Sequence, residues 1–238
     1  MTDQKKVAII TGASRGIGAC VARGLAADGY VVALAARSRE SLAALCNQIN
    51  SGAERIEQAI AYPLDVQDGD AVDSMVADLV SKYGRIDLLF NNAGIDVPGT
   101  LDVSIRDLER LLAVNLVGPF SLLRAVVPIM REQRSGAIIN LASRAGRVGL
   151  VDNGAYSASK FGLVGLSESL YRELSPLGIK ITSLCPSWVD TEMACNANLA
   201  KEEMIQQEDI LATVRWILSL SPAAVVKDLV IECRQRII

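Results

Sequence analysis

Tyr156 and Lys160 stand four residues apart in a stretch with helical periodicity, so their side chains share one face of a helix. A free tyrosine has a pKa of about 10 and is a poor acid–base group at neutral pH. A neighbouring ammonium favours the phenolate and lowers that barrier. Ser143 follows an apolar run, where a hydroxyl can hydrogen-bond a substrate carbonyl. A Tyr/Lys pair at this spacing arises by chance on many helices, so it carries weight only in company.

A second candidate lies near the start, in Thr11-Gly12-Ala13-Ser14-Arg15-Gly16-Ile17-Gly18. Glycines so spaced after a strand let the backbone turn sharply, approach a pyrophosphate and pack the next helix closely. That helix start would offer N–H donors and a positive dipole end to the phosphates. The spacing is Gly-x-x-x-Gly-x-Gly, so the commoner Gly-x-Gly-x-x-Gly fingerprint is not met literally. After the next strand, Ala35-Ala36-Arg37-Ser38-Arg39 has no carboxylate to meet a ribose 2′-hydroxyl. Arg37, with Arg15 from the glycine turn, instead suits a 2′-phosphate, which points to NADP(H) over NAD(H). A loop whose arginines are merely solvated would read the same way.

Positioning these groups takes a scaffold, and the hydrophobic pattern supplies one. Short apolar runs alternate with longer amphipathic stretches, the pattern of a parallel sheet wrapped by helices. Strands are expected at Val7–Ile10, Tyr30–Ala36, Ile56–Pro63, Ile86–Phe90, Ala137–Leu141, Ile179–Leu184 and Asp228–Ile231. Helices are expected at Gly18–Ala27, Arg39–Ile49, Asp68–Tyr83, Ile105–Gln133, Gly154–Ser175 and Asp209–Leu220. With no linker or repeat, residues 1–238 read as one α/β domain. Its expected form is a Rossmann-type, doubly wound, mostly parallel seven-stranded sheet with helices on both faces.

Composition narrows the chemistry. The 238 residues are 50% hydrophobic, 4% aromatic and 21% charged, with net charge −3, enough for a sizeable core and unlike a disordered chain. With no histidine present, Ser-His-Asp and Cys-His catalysis and His-ligated zinc drop out. Five scattered cysteines, Cys20, Cys46, Cys185, Cys195 and Cys233, lack metal spacing and read as free thiols in a reducing cytoplasm. The mildly acidic balance, without a basic block, argues against nucleic acid. The longest unbroken apolar run, Tyr30–Ala36, is too short for a bilayer, and the start shows no signal-peptide pattern.

Taken in order, the motifs resemble the short-chain dehydrogenase/reductase family over nearly the whole chain. They are the glycine turn, Asp65-Val66, Asn91-Asn92-Ala93-Gly94, Asn115, Ser143, Tyr156-x-x-x-Lys160 and Pro186-Ser187-Trp188-Val189-Asp190-Thr191. The resemblance implies Tyr156 as general acid in ketone reduction and base in alcohol oxidation, with Ser143 orienting the carbonyl. It implies that Lys160 holds the nicotinamide ribose and lowers the tyrosine pKa, and that Asn115 supports a water relay ending at Lys160. Gly12, Ser14, Arg15, Gly16, Ile17, Gly18 and Arg37 would hold the phosphates. Asp65 would bind the adenine amino group, beside the Val66 backbone. Asn92, Ala93 and Gly94 would line the adenosine ribose, while Asn91 braces the sheet. Pro186, Val189 and Thr191 would meet the nicotinamide end.

The chain departs from the family pattern in three places. Pro186-Ser187 replaces Pro-Gly, the segment Glu192–Met204 is short for a substrate lid, and the last strand lacks Asp-Gly-Gly. The leading reading is an NADPH-dependent reductase of a small, largely apolar ketone or aldehyde. Val148, Leu150, Val151, Trp188 and Met193 would form the pocket wall, and Arg144 and Arg147 would be solvated. The rivals are a 3-oxoacyl carrier-protein reductase and a cofactor-binding regulator without turnover. Against the first stands Leu177, where such relatives often place a basic residue for the acidic carrier. Arg134 and Arg172 remain as basic surface candidates. The two long helices point to a homodimer or homotetramer.

Overall fold

In the computed structural model, which describes residues 5–51, 58–195 and 197–234, seven strands form one sheet. They are β1 (Val7–Thr11), β2 (Val31–Ala36), β3 (Ala59–Pro63), β4 (Leu88–Asn91), β5 (Gly136–Leu141), β6 (Ile179–Pro186) and β7 (Asp228–Ile231). Their order is β3-β2-β1-β4-β5-β6-β7, and every pairing is parallel. The strand order reverses between β1 and β4, so a crevice opens at their carboxyl ends, where doubly wound sheets bind ligands. Ile56, the expected start of the third strand, lies outside the described residues.

Both faces of the sheet are covered, which is why its strands are apolar throughout rather than alternating. Helices α1 (Gly16–Ala27), α2 (Arg39–Asn50) and α7 (Gln207–Ser219) cover one face, where Ala8, Ile10, Val32 and Leu34 are buried. Helices α3 (Gly69–Tyr83), α5 (Gly118–Gln133) and α6 (Gly154–Leu174) cover the other, over Val7, Ile9, Val31 and Ala33. Successive residues of each strand thus serve opposite layers. Ser38, Asp68 and Ser104 cap α2, α3 and α4 (Ile105–Leu112) by accepting from backbone N–H groups at 3.1–3.3 Å. α1 begins after Arg15 with no side-chain cap.

The stretch expected as a single helix from Ile105 to Gln133 is divided. Residues Ala113–Val117 form a π-helical turn, in which the Gly118 N–H reaches the Ala113 carbonyl. Pro119 has no N–H to give to the Asn115 carbonyl four residues earlier, so the regular ladder loses a bond at this point. Among the described residues, only this helical stretch would pass for a membrane span by length and composition, with mean hydropathy 1.7. Its Leu122, Leu123, Val126 and Met130 are instead buried on the sheet.

Candidate active site

The carboxyl ends of β1 and β4 are stitched together first. The Thr11 hydroxyl accepts the N–H groups of Asn92 and Ala93, each at 3.0 Å. The Asn92 side-chain amide donates to the carbonyls of Thr11 at 2.8 Å and Gly12 at 3.2 Å. Gly12 has φ +63°, and a Cβ there would fall 2.7 Å from the Asn92 amide nitrogen. A Cβ on Gly18 would fall 2.4 Å from the Gly12 carbonyl oxygen. Only glycine fits either position. Gly16 is looser, its Cβ position 3.4 Å from the Thr191 methyl group, so Thr191 closes over the turn. Ser14 and Ile17 are half-buried along it.

On the catalytic side, α6 presents Tyr156 and Lys160 toward the end of β5. Lys160 is buried and its Nζ donates to the Leu141 carbonyl at 3.1 Å. The same Nζ sits 5.6 Å from the centre of the Tyr156 ring. The Ser143 hydroxyl lies within hydrogen-bonding reach of the Tyr156 phenol. It also accepts the Ala145 N–H at 3.1 Å, so its position is tied to the turn Arg144–Gly146. A Cβ on Gly94 would lie 3.4 Å from Asn115 Oδ1 and 3.6 Å from Lys160 Nζ, so this glycine wedges between the two.

Burial governs both titrating groups. Burial pushes the Tyr156 phenol above its ordinary value; the Ser143 contact opposes the rise and the Asp96 carboxylate adds to it. Burial pulls Lys160 down to about 8, against the opposing influence of Cys185 and Asp96. The expected lowering of the tyrosine by the lysine is therefore not what this geometry shows.

Several of the expected residues have their side chains engaged within the protein. Asn115 spends its side chain on both backbone groups of Ile95, at 2.9 Å each, and donates to Ser159 at 3.1 Å. Asn92, expected beside the adenosine ribose, gives its side-chain amide to the glycine turn. Asn91 does brace the sheet, donating to Asn140 on β5 at 2.9 Å, and Asn140 donates to Ser167 at 2.8 Å. Val189 is buried and bridges to Ile205, while Pro186 ends β6. Ala93 packs against the core. Arg37 is exposed at the end of β2, and Asp65, beside the buried Val66, accepts from Gln67 at 3.0 Å. Arg15 pairs with Glu192 at 2.7 Å, both largely exposed.

Arg144 and Arg147 are not solvated. Arg144 pairs with Glu232 at 3.4 Å and Arg147 pairs with Asp228, all four side chains being more than two-thirds buried. The cost of an inward arginine is offset by a carboxylate from the edge strand or the residue after it, which spacing along the chain does not reveal. Thr11 stands in the glycine turn with no role assigned from sequence, and Asp96 and Asn153 escape the residue-by-residue reading. Asn153 donates to Asp96 at 3.4 Å, beside the start of α6. Two surface clefts of about 450 and 360 Å³ lie along α3 and share none of the expected site residues.

A crevice at the strand ends, a glycine turn opening α1, and a Ser/Tyr/Lys group beside it define a dehydrogenase of the doubly wound type. The family model described as short chain dehydrogenase matches residues 6–202. The chain belongs to that short-chain dehydrogenase/reductase family and is an oxidoreductase. It is 35% identical over 229 residues to a 3-oxoacyl-[acyl-carrier-protein] reductase of Synechocystis, covering 92% of this chain and 91% of the relative. A β-ketoacyl-[ACP] reductase structure from Bacteroides thetaiotaomicron superposes with TM-score 0.87 at 42% identity, over 98% of each chain. A metagenomic short-chain oxidoreductase in complex with NADP superposes with TM-score 0.82 at 33% identity, over 95% of this chain and 96% of that one.

Proposed function

We propose that the protein is an NADPH-dependent reductase of a ketone group, with 3-oxoacyl thioesters as its substrate class. The observation that carries the reading is Ser143 within reach of the Tyr156 phenol, with Lys160 beside it at the mouth of the β1/β4 crevice. The relatives named above move the acyl thioester ahead of the small ketone expected from sequence. The surroundings agree. Gly99 donates its N–H to the Asp152 carbonyl at 2.7 Å, joining the loops that carry Leu101 (97% exposed) and Val151 (90% exposed). With exposed Val148, Trp188 and Met193 they offer apolar surface for an acyl chain.

The residues present fit the cofactor. α1 offers an uncapped N-terminus beneath a turn too tight for any side chain at Gly12 or Gly18, and the exposed Arg37 can meet a 2′-phosphate. When bound, the reduced nicotinamide supplies the hydride. Ser143 holds the substrate oxygen by its hydroxyl. Tyr156 then gives its proton to that oxygen as negative charge develops, and its raised pKa keeps the phenol protonated at neutral pH. Lys160, fixed by Leu141, stands ready to support the phenolate that remains. A pair as exposed as Arg15 and Glu192 is worth about 0–1 kcal/mol, so the phosphate can take Arg15 from it.

Arg37→Ala is expected to raise the KM for NADPH about 10–100-fold and leave that for NADH nearly unchanged, since a charged hydrogen bond contributes about 1.5–3 kcal/mol. Equal losses for the two nucleotides would refute the phosphate assignment. The substrate class is tested by kcat/KM for 3-oxoacyl thioesters against simple aryl and alkyl ketones at one NADPH concentration. A clear preference for the ketones would restore the first reading.

Cys195 alone among the five free cysteines is exposed, which suits a reducing, cytoplasmic setting. A homodimer through α5 and α6 would cover Val117, Phe120 and Phe161, all about half exposed. Light scattering at the monomer mass of 25.4 kDa would exclude it.

A further inference from the structure

Ser143 is held from behind by charges that the proposed chemistry does not use. Its hydroxyl caps the turn Arg144–Gly146, so any shift of that turn moves the hydroxyl. On one side the turn is pressed against α6, since a Cβ on Gly146 would lie 2.8 Å from the Lys160 carbonyl oxygen. On the other side two salt bridges tie it outward, Arg144 to Glu232 and Arg147 to Asp228. The buried Cys185 touches both the Arg147 guanidinium and the Ser143 backbone. Asp228 is further flanked by Lys227 at 3.2 Å, and Lys227 by Glu168 at 3.5 Å. Glu168 holds Arg172 at 2.8 Å, so charges of opposite sign run from the α6 surface inward to the turn.

We infer that Arg147, held by Asp228 on the edge strand, is a positioning residue that fixes the Ser143 hydroxyl against Tyr156. Arg147 touches no reacting atom. It acts by denying the turn the freedom to swing away from α6, because its guanidinium is anchored to a strand that is itself hydrogen-bonded to β6. Misplacing a reacting group by about 1 Å costs up to about a hundredfold in rate. The inference rests on the reading of Ser143 and Tyr156 given above.

The test compares Arg147→Met, Arg147→Lys, Asp228→Asn and the exchanged pair Arg147→Asp with Asp228→Arg, alongside Ser143→Ala. Arg147→Met and Asp228→Asn are expected to lower kcat about 10–100-fold with NADPH affinity retained. Arg147→Lys and the exchanged pair should recover part of that loss. In alcohol oxidation the pH midpoint should move upward in Arg147→Met, because the Ser143 contact that lowers the Tyr156 pKa is loosened, while Asp96 and Lys160 still face the phenol. Wild-type kcat and an unmoved midpoint in Arg147→Met would overturn the inference. So would joint loss of turnover and NADPH affinity in both Arg147→Met and Asp228→Asn, which would mark the pair as general scaffolding. A crippled Ser143→Ala beside a wild-type-like Arg147→Met removes this inference alone. A fully active Ser143→Ala removes the site reading and this inference with it.

Discussion

Tyr156→Phe is expected to lower kcat for ketone reduction by about 10²–10⁴-fold, the usual contribution of a positioned general acid. NADPH affinity should stay within about threefold of wild type, because the change deletes one hydroxyl facing the substrate and leaves the ring in place. The direction of the phenol's pKa shapes the pH profile. Burial raises it, so the phenol should keep its proton at neutral pH and reduction is expected to run without loss across that range. Oxidation of the alcohol needs the phenolate and therefore climbs with pH. Steady-state rates from pH 6 to 10 in both directions, with a cofactor isotherm for each protein, check both statements. If Tyr156→Phe kept most of its kcat, another group would be the acid.

Lys160→Met is expected to abolish most turnover and, at the same time, to stabilise the cofactor-free fold. A buried ammonium is costly, and burial pulls Lys160 from 10.5 down to about 8. Because the folded value lies below the unfolded one, the unfolded chain holds the proton more tightly. The penalty is fully present below about pH 8 and fades as pH rises toward 10.5. At neutral pH it amounts to about 3 kcal/mol. Removing the side chain also forfeits the bond to the Leu141 carbonyl, which returns about 1–2 kcal/mol of that gain. The net is about 1–2 kcal/mol, or about 2–8 °C in Tm for a chain of this size. Urea melts at pH 7 and pH 9.5 should show the variant's advantage shrinking at the higher pH. A variant less stable than wild type at pH 7 would mean that the lysine is not a stored cost. The expected result, a variant more stable at pH 7, would instead mean that the fold carries this ammonium for function against stability, as buried charge at functional sites does.

What the sequence by itself determined is whatever local geometry controls. The period of apolar residues set the order of strands and helices, because a strand buried on both faces and a helix with one apolar face repeat differently. The glycines of the Gly12–Gly18 turn were readable because only a residue without Cβ can take those backbone positions, whichever neighbours surround it. Tyr156 and Lys160 were readable as a pair because one helical turn joins them. Pro119 carried a local signal as well: its missing N–H takes a bond from the regular ladder at Asn115, although the apolar pattern alone read as one unbroken helix. Tertiary structure decided everything that depends on partners distant in the chain. Asn92 gives its amide to Thr11, 81 residues away, and Arg144 meets Glu232, 88 residues away. No spacing rule distinguishes those pairings from a solvated arginine or a ligand-facing amide, since both follow from where the sheet sets its strand ends. The pKa values of Tyr156 and Lys160 belong to the same class. A tyrosine and a lysine one turn apart on an exposed helix would support each other as the sequence suggests; enclosed beneath the strand ends, each is shifted mainly by the water it has lost.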